Sequence, residues 1–165
     1  MNDHPTSSAE VLRYLILALQ RQGNRELNSA YAPLGLTASQ AEAVEVIGTF
    51  GPLSTKEVGQ HLICESGSPS RLLSTLAAKG LTVTAISTTD RRTTLHALTS
   101  AGRQTLAKIQ TTKKVFETRL GEQLKEAQDT YPNNILAQLA KMLNDPTLLR
   151  AMHRRFPQHF PPPKK

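Results

Sequence analysis

The side chains of this sequence best suited to recognition chemistry fall in a few short stretches. Ser66, Ser68, Ser70 and Ser74 recur through one of them, and hydroxyls in that setting hydrogen-bond base edges or phosphate oxygens. The plainer role for the same serines is to cap and solvate a helix start. A second stretch is Asp90-Arg91-Arg92. Its adjacent guanidinium groups suit phosphate oxygens or a narrow minor groove, with Asp90 orienting one of them. Lys56 and Arg103 offer further phosphate contacts. Cys64 follows His61 by three residues, a spacing at which an imidazole could activate the thiol or join it as a metal ligand. The stronger reading of Cys64 is a small apolar residue after Leu62-Ile63 in a turn between packed helices. It has no second cysteine to resolve a sulfenic acid, so no redox role is expected of it. His4, His96, His153 and His159 show no metal-ligand spacing, and no metal or cofactor is expected. P-loop, G-x-S-x-G, H-E-x-x-H and dinucleotide-glycine patterns are lacking, so the expectation is a protein that is not an enzyme.

The rest of the composition limits what these residues serve. The chain has 165 residues, with 20 Lys+Arg against 13 Asp+Glu for a net charge of +7. That is the length of one ordinary domain with an appendage, and its field favours polyanions. One cysteine excludes an intrachain disulfide framework and points to a reducing cytoplasm. The longest apolar stretch, Tyr14 to Leu19, lies between Arg13 and Arg21. It falls far short of the ~20 residues needed to span a bilayer, and neither a membrane helix nor a signal peptide is expected.

Helix starts are written clearly. Ser or Thr followed three residues later by Glu or Gln satisfies amide donors reciprocally, and this pattern occurs at Ser7–Glu10, Thr37–Gln40 and Ser54–Glu57. The first opens a long helix toward Ala30. The second opens a helix with Ala43, Val44 and Ile47 inward, ended by Gly48 and Gly51-Pro52. The third carries Val58, His61 and Leu62. A serine-rich helix is expected from about Ser66 or Ser68 to Lys79-Gly80, with Pro69 in its first turn. Residues 81–98 change to a strand period, with Leu81, Val83 and Ala85 in one strand, Leu95, Ala97 and Leu98 in the other, and a basic tip between them. Thr99 opens another helix through Leu106, Ile109, Phe116 and Leu120. Helical patterns follow around Ile135, Leu136, Leu139 and Leu143, and after Asp145-Pro146 through Leu149 and Met152. The Pro-rich end reads as an extended tail.

Helix, helix, serine-rich helix and basic hairpin is the order of a winged helix-turn-helix. The stretches Leu34-Gly35-Leu36-Thr37 with Gln40, Leu76-Ala77-Ala78-Lys79-Gly80-Leu81, Asp90-Arg91-Arg92 and Leu98-Thr99-Ser100-Ala101-Gly102-Arg103 resemble the MarR family of bacterial transcriptional regulators. The family's D-x-R-x5-L-T wing pattern fits Asp90, Arg92, Leu98 and Thr99 without a gap. The resemblance covers 34–103, and the flanks match by helix layout alone. It implies a mainly α (α+β) fold: a winged helix-turn-helix DNA-binding domain over 34–103, and a helical dimerisation region from 1–33 and 104–165. It also implies a homodimer, double-stranded DNA as partner, a small-molecule effector, and DNA contact by Arg71, where relatives usually carry arginine. Thr82-Val83-Thr84-Ala85 departs from the charged first wing strand common in relatives. The expected function is a dimeric, sequence-specific regulator, a ligand-responsive repressor. The alternative is a winged-helix interaction module that turns its basic face to an acidic protein.

Overall fold

The computed structural model describes residues 8–63, 67–130, 139–140, 142–143, 145–157 and 160. Helix α1 spans Ser8–Tyr31 and is followed by a 3-10 turn, Ala32–Leu34, that contains Pro33. Helix α2 (Ala38–Phe50) starts on the predicted reciprocal cap: Gln40 N donates to Thr37 Oγ1 at 3.2 Å and Thr37 N donates to Gln40 Oε1 at 3.3 Å. Ala43, Val44 and Ile47 point inward as expected. The helix does not stop at Gly48 but runs on to Phe50. A Cβ at Gly48 would lie 2.4 Å from Leu106 Cδ2, so this glycine admits the Leu106 side chain rather than ending its own helix.

Strand β1 (Leu53–Ser54) leads into α3 (Thr55–His61), whose cap is again reciprocal between Ser54 and Glu57. Helix α4 (Pro69–Ala78) buries Leu72, Leu73 and Leu76 and closes through Gly80 at φ 69°. Leu81 N then returns to Leu76 O at 3.0 Å, the hydrogen bond of a glycine-ended helix. Strands β2 (Thr82–Ile86) and β3 (Thr94–Leu98) form the expected hairpin. Because β1 also pairs with β3, the sheet has three antiparallel strands in the order β1-β3-β2. A two-residue strand that doubles as a helix cap leaves no periodicity to detect in the sequence.

The register Thr82↔Leu98, Val83↔Ala97, Thr84↔His96 decides the faces of the hairpin. Thr82, His96 and Leu98 are buried, whereas Val83 is 53% exposed. The apolar set read from the sequence is therefore split between the two faces.

Helix α5 (Ser100–Thr130) is capped by Thr99, whose Oγ1 accepts Gly102 N at 3.0 Å. Its Ile109 is fully buried in a core shared with Val44, Ile47, Val58, Leu73 and Leu76. Ion pairs of Lys113 with Glu45 and of Arg119 with Glu26 tie α5 to α2 and α1. Helix α6 (Pro146–Arg155) starts as expected, with Asp145 Oδ1 accepting Thr147 N and Leu148 N at 2.8 and 2.9 Å. It packs against α3 within the same chain. Of the helix expected around Ile135, Leu136, Leu139 and Leu143, positions 131–138 lie outside the described residues, and Leu139 and Ala140 are helical. Among the described residues no helix is long and apolar enough to cross a membrane.

Candidate nucleic-acid interface

Helix α4 has one buried face, and the opposite face carries Ser70, Arg71 and Ser74 in solvent. The period of 3.6 places the leucines inward and so forces these three outward. Ser74 Oγ donates to Ser70 O at 2.9 Å, which leaves the oxygen's lone pairs outward as acceptors. Thr75 does the same toward Arg71 O at 2.9 Å. Ser68 is the N-cap of α4, but its side chain makes no capping hydrogen bond, so the hydroxyl is not consumed by the helix start. Arg71 lines a polar cleft with Asn24 and Asn28 of α1 and with Thr37 and Gln40 of the α2 cap. Asn28 Oδ1 also accepts Ala38 N at 2.9 Å, a second cap on α2 contributed from α1 that no local sequence signal announces. Ser66, Cys64 and Glu65 lie outside the described residues.

At the wing tip, Arg91 and Arg92 are exposed in the turn between β2 and β3. Neither they nor Arg71 forms an ion pair among the described residues. Asp90 serves the turn rather than an arginine side chain. Its Oδ1 accepts Arg92 N at 3.0 Å and its Oδ2 accepts Thr93 Oγ1 at 2.8 Å. The Arg92 amide first, and then the Thr93 hydroxyl, hold its carboxyl below the usual aspartate range. Asp90 thus holds the wing turn at the Arg92 amide and the Thr93 hydroxyl, not the arginine side chain expected from the sequence. Arg103 Nη1 donates to Leu98 O at 2.9 Å, bracing the end of β3 against α5. Lys56 is exposed in the first turn of α3. Among the described residues no group of three or more His, Cys, Asp or Glu is placed to hold a metal ion.

His96 lies beneath the wing on the central strand. Its Nε2 is 3.0 Å from Thr55 Oγ1, and its Nδ1 is buried without a partner. Burial lowers its pKa from the ordinary histidine value. As pH falls, the unfolded chain takes up this proton before the folded one does. The His96 contribution to stability is therefore complete above the unfolded pKa of about 6.5 and is lost as pH falls toward the folded value. Urea midpoints measured between pH 8 and 5 are expected to fall more for the natural protein than for His96→Gln, and equal slopes would contradict this assignment.

Residues 36–102 match the winged helix DNA-binding domain family. No curated protein matches the sequence. Among solved structures, a Bacillus cereus ATCC 10987 protein described as a MarR-like transcription regulator is similar with a TM-score of 0.73 at 18% identity, over 82% of this chain and 98% of its own. The transcriptional repressor CouR, solved on a 23-mer DNA duplex, matches with a TM-score of 0.68 at 26% identity, over 81% of this chain and 93% of its own. The S. aureus MepR–DNA complex matches at 0.67 and 18% identity, over 80% and 98%. Residues 36–102 form a winged helix of the kind that family describes. Within that class the chain's fold is that of the MarR-type transcription regulators, as the sequence motifs implied.

Proposed function

We propose that the protein is a dimeric, sequence-specific DNA-binding transcriptional regulator, a repressor released by a small-molecule effector. The observation that carries the reading is the outward array on one winged domain. The exposed face of α4 with Ser70, Arg71 and Ser74 stands beside a wing whose tip presents Arg91 and Arg92, in a turn held by Asp90. On this reading α4 enters the major groove, with Ser66, Ser68, Ser70, Arg71 and Ser74 toward bases and phosphates. Arg91 and Arg92 follow the backbone or the minor groove, and Lys56 and Arg103 meet phosphate. The repressor assignment draws on CouR, which is 26% identical and was solved on duplex DNA. The dimer draws on α1, where Tyr14, Leu15, Ile16, Leu17 and Leu19 are all 43% or more exposed in the single chain, and on Val115 of α5, 73% exposed. So much apolar surface at both ends calls for a second copy. Residues 1–33 and 104–165 would supply that contact, with one domain over 34–103 hanging on each side.

Duplexes retained from a random-sequence pool test the reading directly. Retention of a two-fold symmetric site supports it, and retention of none favours an acidic protein partner instead. On the selected site, the Arg91→Ala, Arg92→Ala double variant is expected to weaken binding across sequences and to reduce the slope of log K against log salt by about two units, one per lost phosphate contact. An unchanged affinity and slope would remove the wing from the interface.

A further inference from the structure

Glu42 is a carboxylate on the inward side of α2, with a side chain only 7% exposed. Two distant parts of the chain converge on its Oε1. The backbone N–H of Ile63, in the turn between α3 and α4, donates to it at 2.9 Å. Arg155, the last residue of α6, pairs with the same oxygen, and the Arg155 side chain is itself 19% exposed. Helix α6 is seated there by Ala151, which is 1% exposed, and by Arg154 Nη1 donating to Gln60 O at 2.7 Å. The last described helix therefore grips the helix-turn-helix twice, at Gln60 near the end of α3 and, through Glu42, at Ile63 just beyond it. A buried pair of this kind adds little net stability compared with an apolar replacement. Removing one partner is costly, because the other keeps its burial and loses its counter-charge. Withdrawal of α6 would take the Arg155 guanidinium from Glu42 and loosen the orientation in which its Oε1 accepts the Ile63 amide.

We propose that Arg155 is a positioning residue for DNA binding. It orients Glu42, Glu42 holds Ile63 just beyond α3, and α3 packs through Gly59 on Pro69 at the start of α4, so that the position of this end of α4 against DNA depends on it. The functional end of this inference rests on the DNA-binding reading above, whereas the mechanical link from α6 to the turn does not. An effector or partner that lifts α6 would then lower DNA affinity without touching α4 or the wing.

The test pairs amide hydrogen exchange, read residue by residue by NMR, with fluorescence anisotropy on a duplex retained from the random pool. Arg155→Met is expected to raise Kd about tenfold and to speed exchange of the Ile63 amide by a similar factor. Arg155→Lys should restore part of both. Arg150→Met removes an equal charge from the exposed side of α6 and should change neither, which separates positioning from simple loss of positive charge. If Arg155→Met loosens α6 but leaves Ile63 exchange unchanged, Arg155 only anchors its own helix and the proposal is overturned. Should Arg155→Met fail to fold, Glu42→Gln replaces it, since it keeps an oxygen for Ile63 but weakens the hold on Arg155. Faster exchange in α6 with a raised Kd then supports the link, and unchanged values overturn it. If the natural protein retains no duplex, the functional reading fails, and the exchange data still uphold or overturn the link between α6 and the turn.

Discussion

Leu15→Glu combined with Leu19→Glu is expected to yield a folded monomer whose affinity for a two-fold symmetric duplex is at least about 100-fold lower. The two residues lie one helical turn apart on α1 and are 52% and 58% exposed in the single chain. Neither contributes to the core built around Val44, Leu76 and Ile109, so the fold does not depend on them. In a dimer the same positions would be covered, and a carboxylate introduced there would be buried without a partner, at a cost of several kcal/mol per protomer. The loss at DNA follows from geometry. Two winged domains joined in one particle bind the second half-site at high effective concentration, and separated domains do not. Sedimentation equilibrium and anisotropy on the same samples check both parts. A double variant that remains dimeric at low micromolar concentration would show that α1 is not the seam.

The second large effect is on stability. Gly102→Ala is expected to lower the unfolding free energy by about 3 kcal/mol, and the thermal midpoint by about 10 °C for a chain of this length. A Cβ at Gly102 would stand 2.1 Å from Leu81 O and 3.3 Å from Leu98 Cβ. The atom in the way is backbone, which cannot swing aside as a side chain can. The same Leu81 carbonyl accepts Thr99 N at 3.0 Å and faces Thr99 Oγ1 at 3.3 Å, so moving it loosens the joint where β2, β3 and α5 meet. Gly121 is the internal control. It lies in the same helix with nothing within 4 Å of its would-be Cβ, and Gly121→Ala is expected to stabilise by up to about 1 kcal/mol. Calorimetry on the two variants gives the comparison, and a mild effect at Gly102 would mean that the wing joint yields more easily than its geometry indicates.

Features that depend on residues a few positions apart are legible in the amino-acid sequence itself. The reciprocal caps at Thr37–Gln40 and Ser54–Glu57 need only a spacing of three, and the Asp145-Pro146 start needs even less. The leucine stripe of α4 points inward because its period matches the helix, and that alone turns Ser70, Arg71 and Ser74 outward. The Asp90-Arg91-Arg92 tip and the Leu98-Thr99 joint fall at the spacing the wing pattern requires. How these pieces meet is a matter of tertiary structure. Gly48 reads as a helix end until Leu106 is found against it. Leu53-Ser54 is too short to announce a strand, and only the edge of β3 makes it one. Alternation along the hairpin marks two faces without saying which is buried. Register and the packing of neighbouring helices put His96 inside and left Val83 out. Glu42 and Arg155 stand 113 positions apart, and no local pattern links them. Caps and periods are settled by energies within a turn or two of chain, whereas contacts between distant residues exist only once the chain has closed on its core.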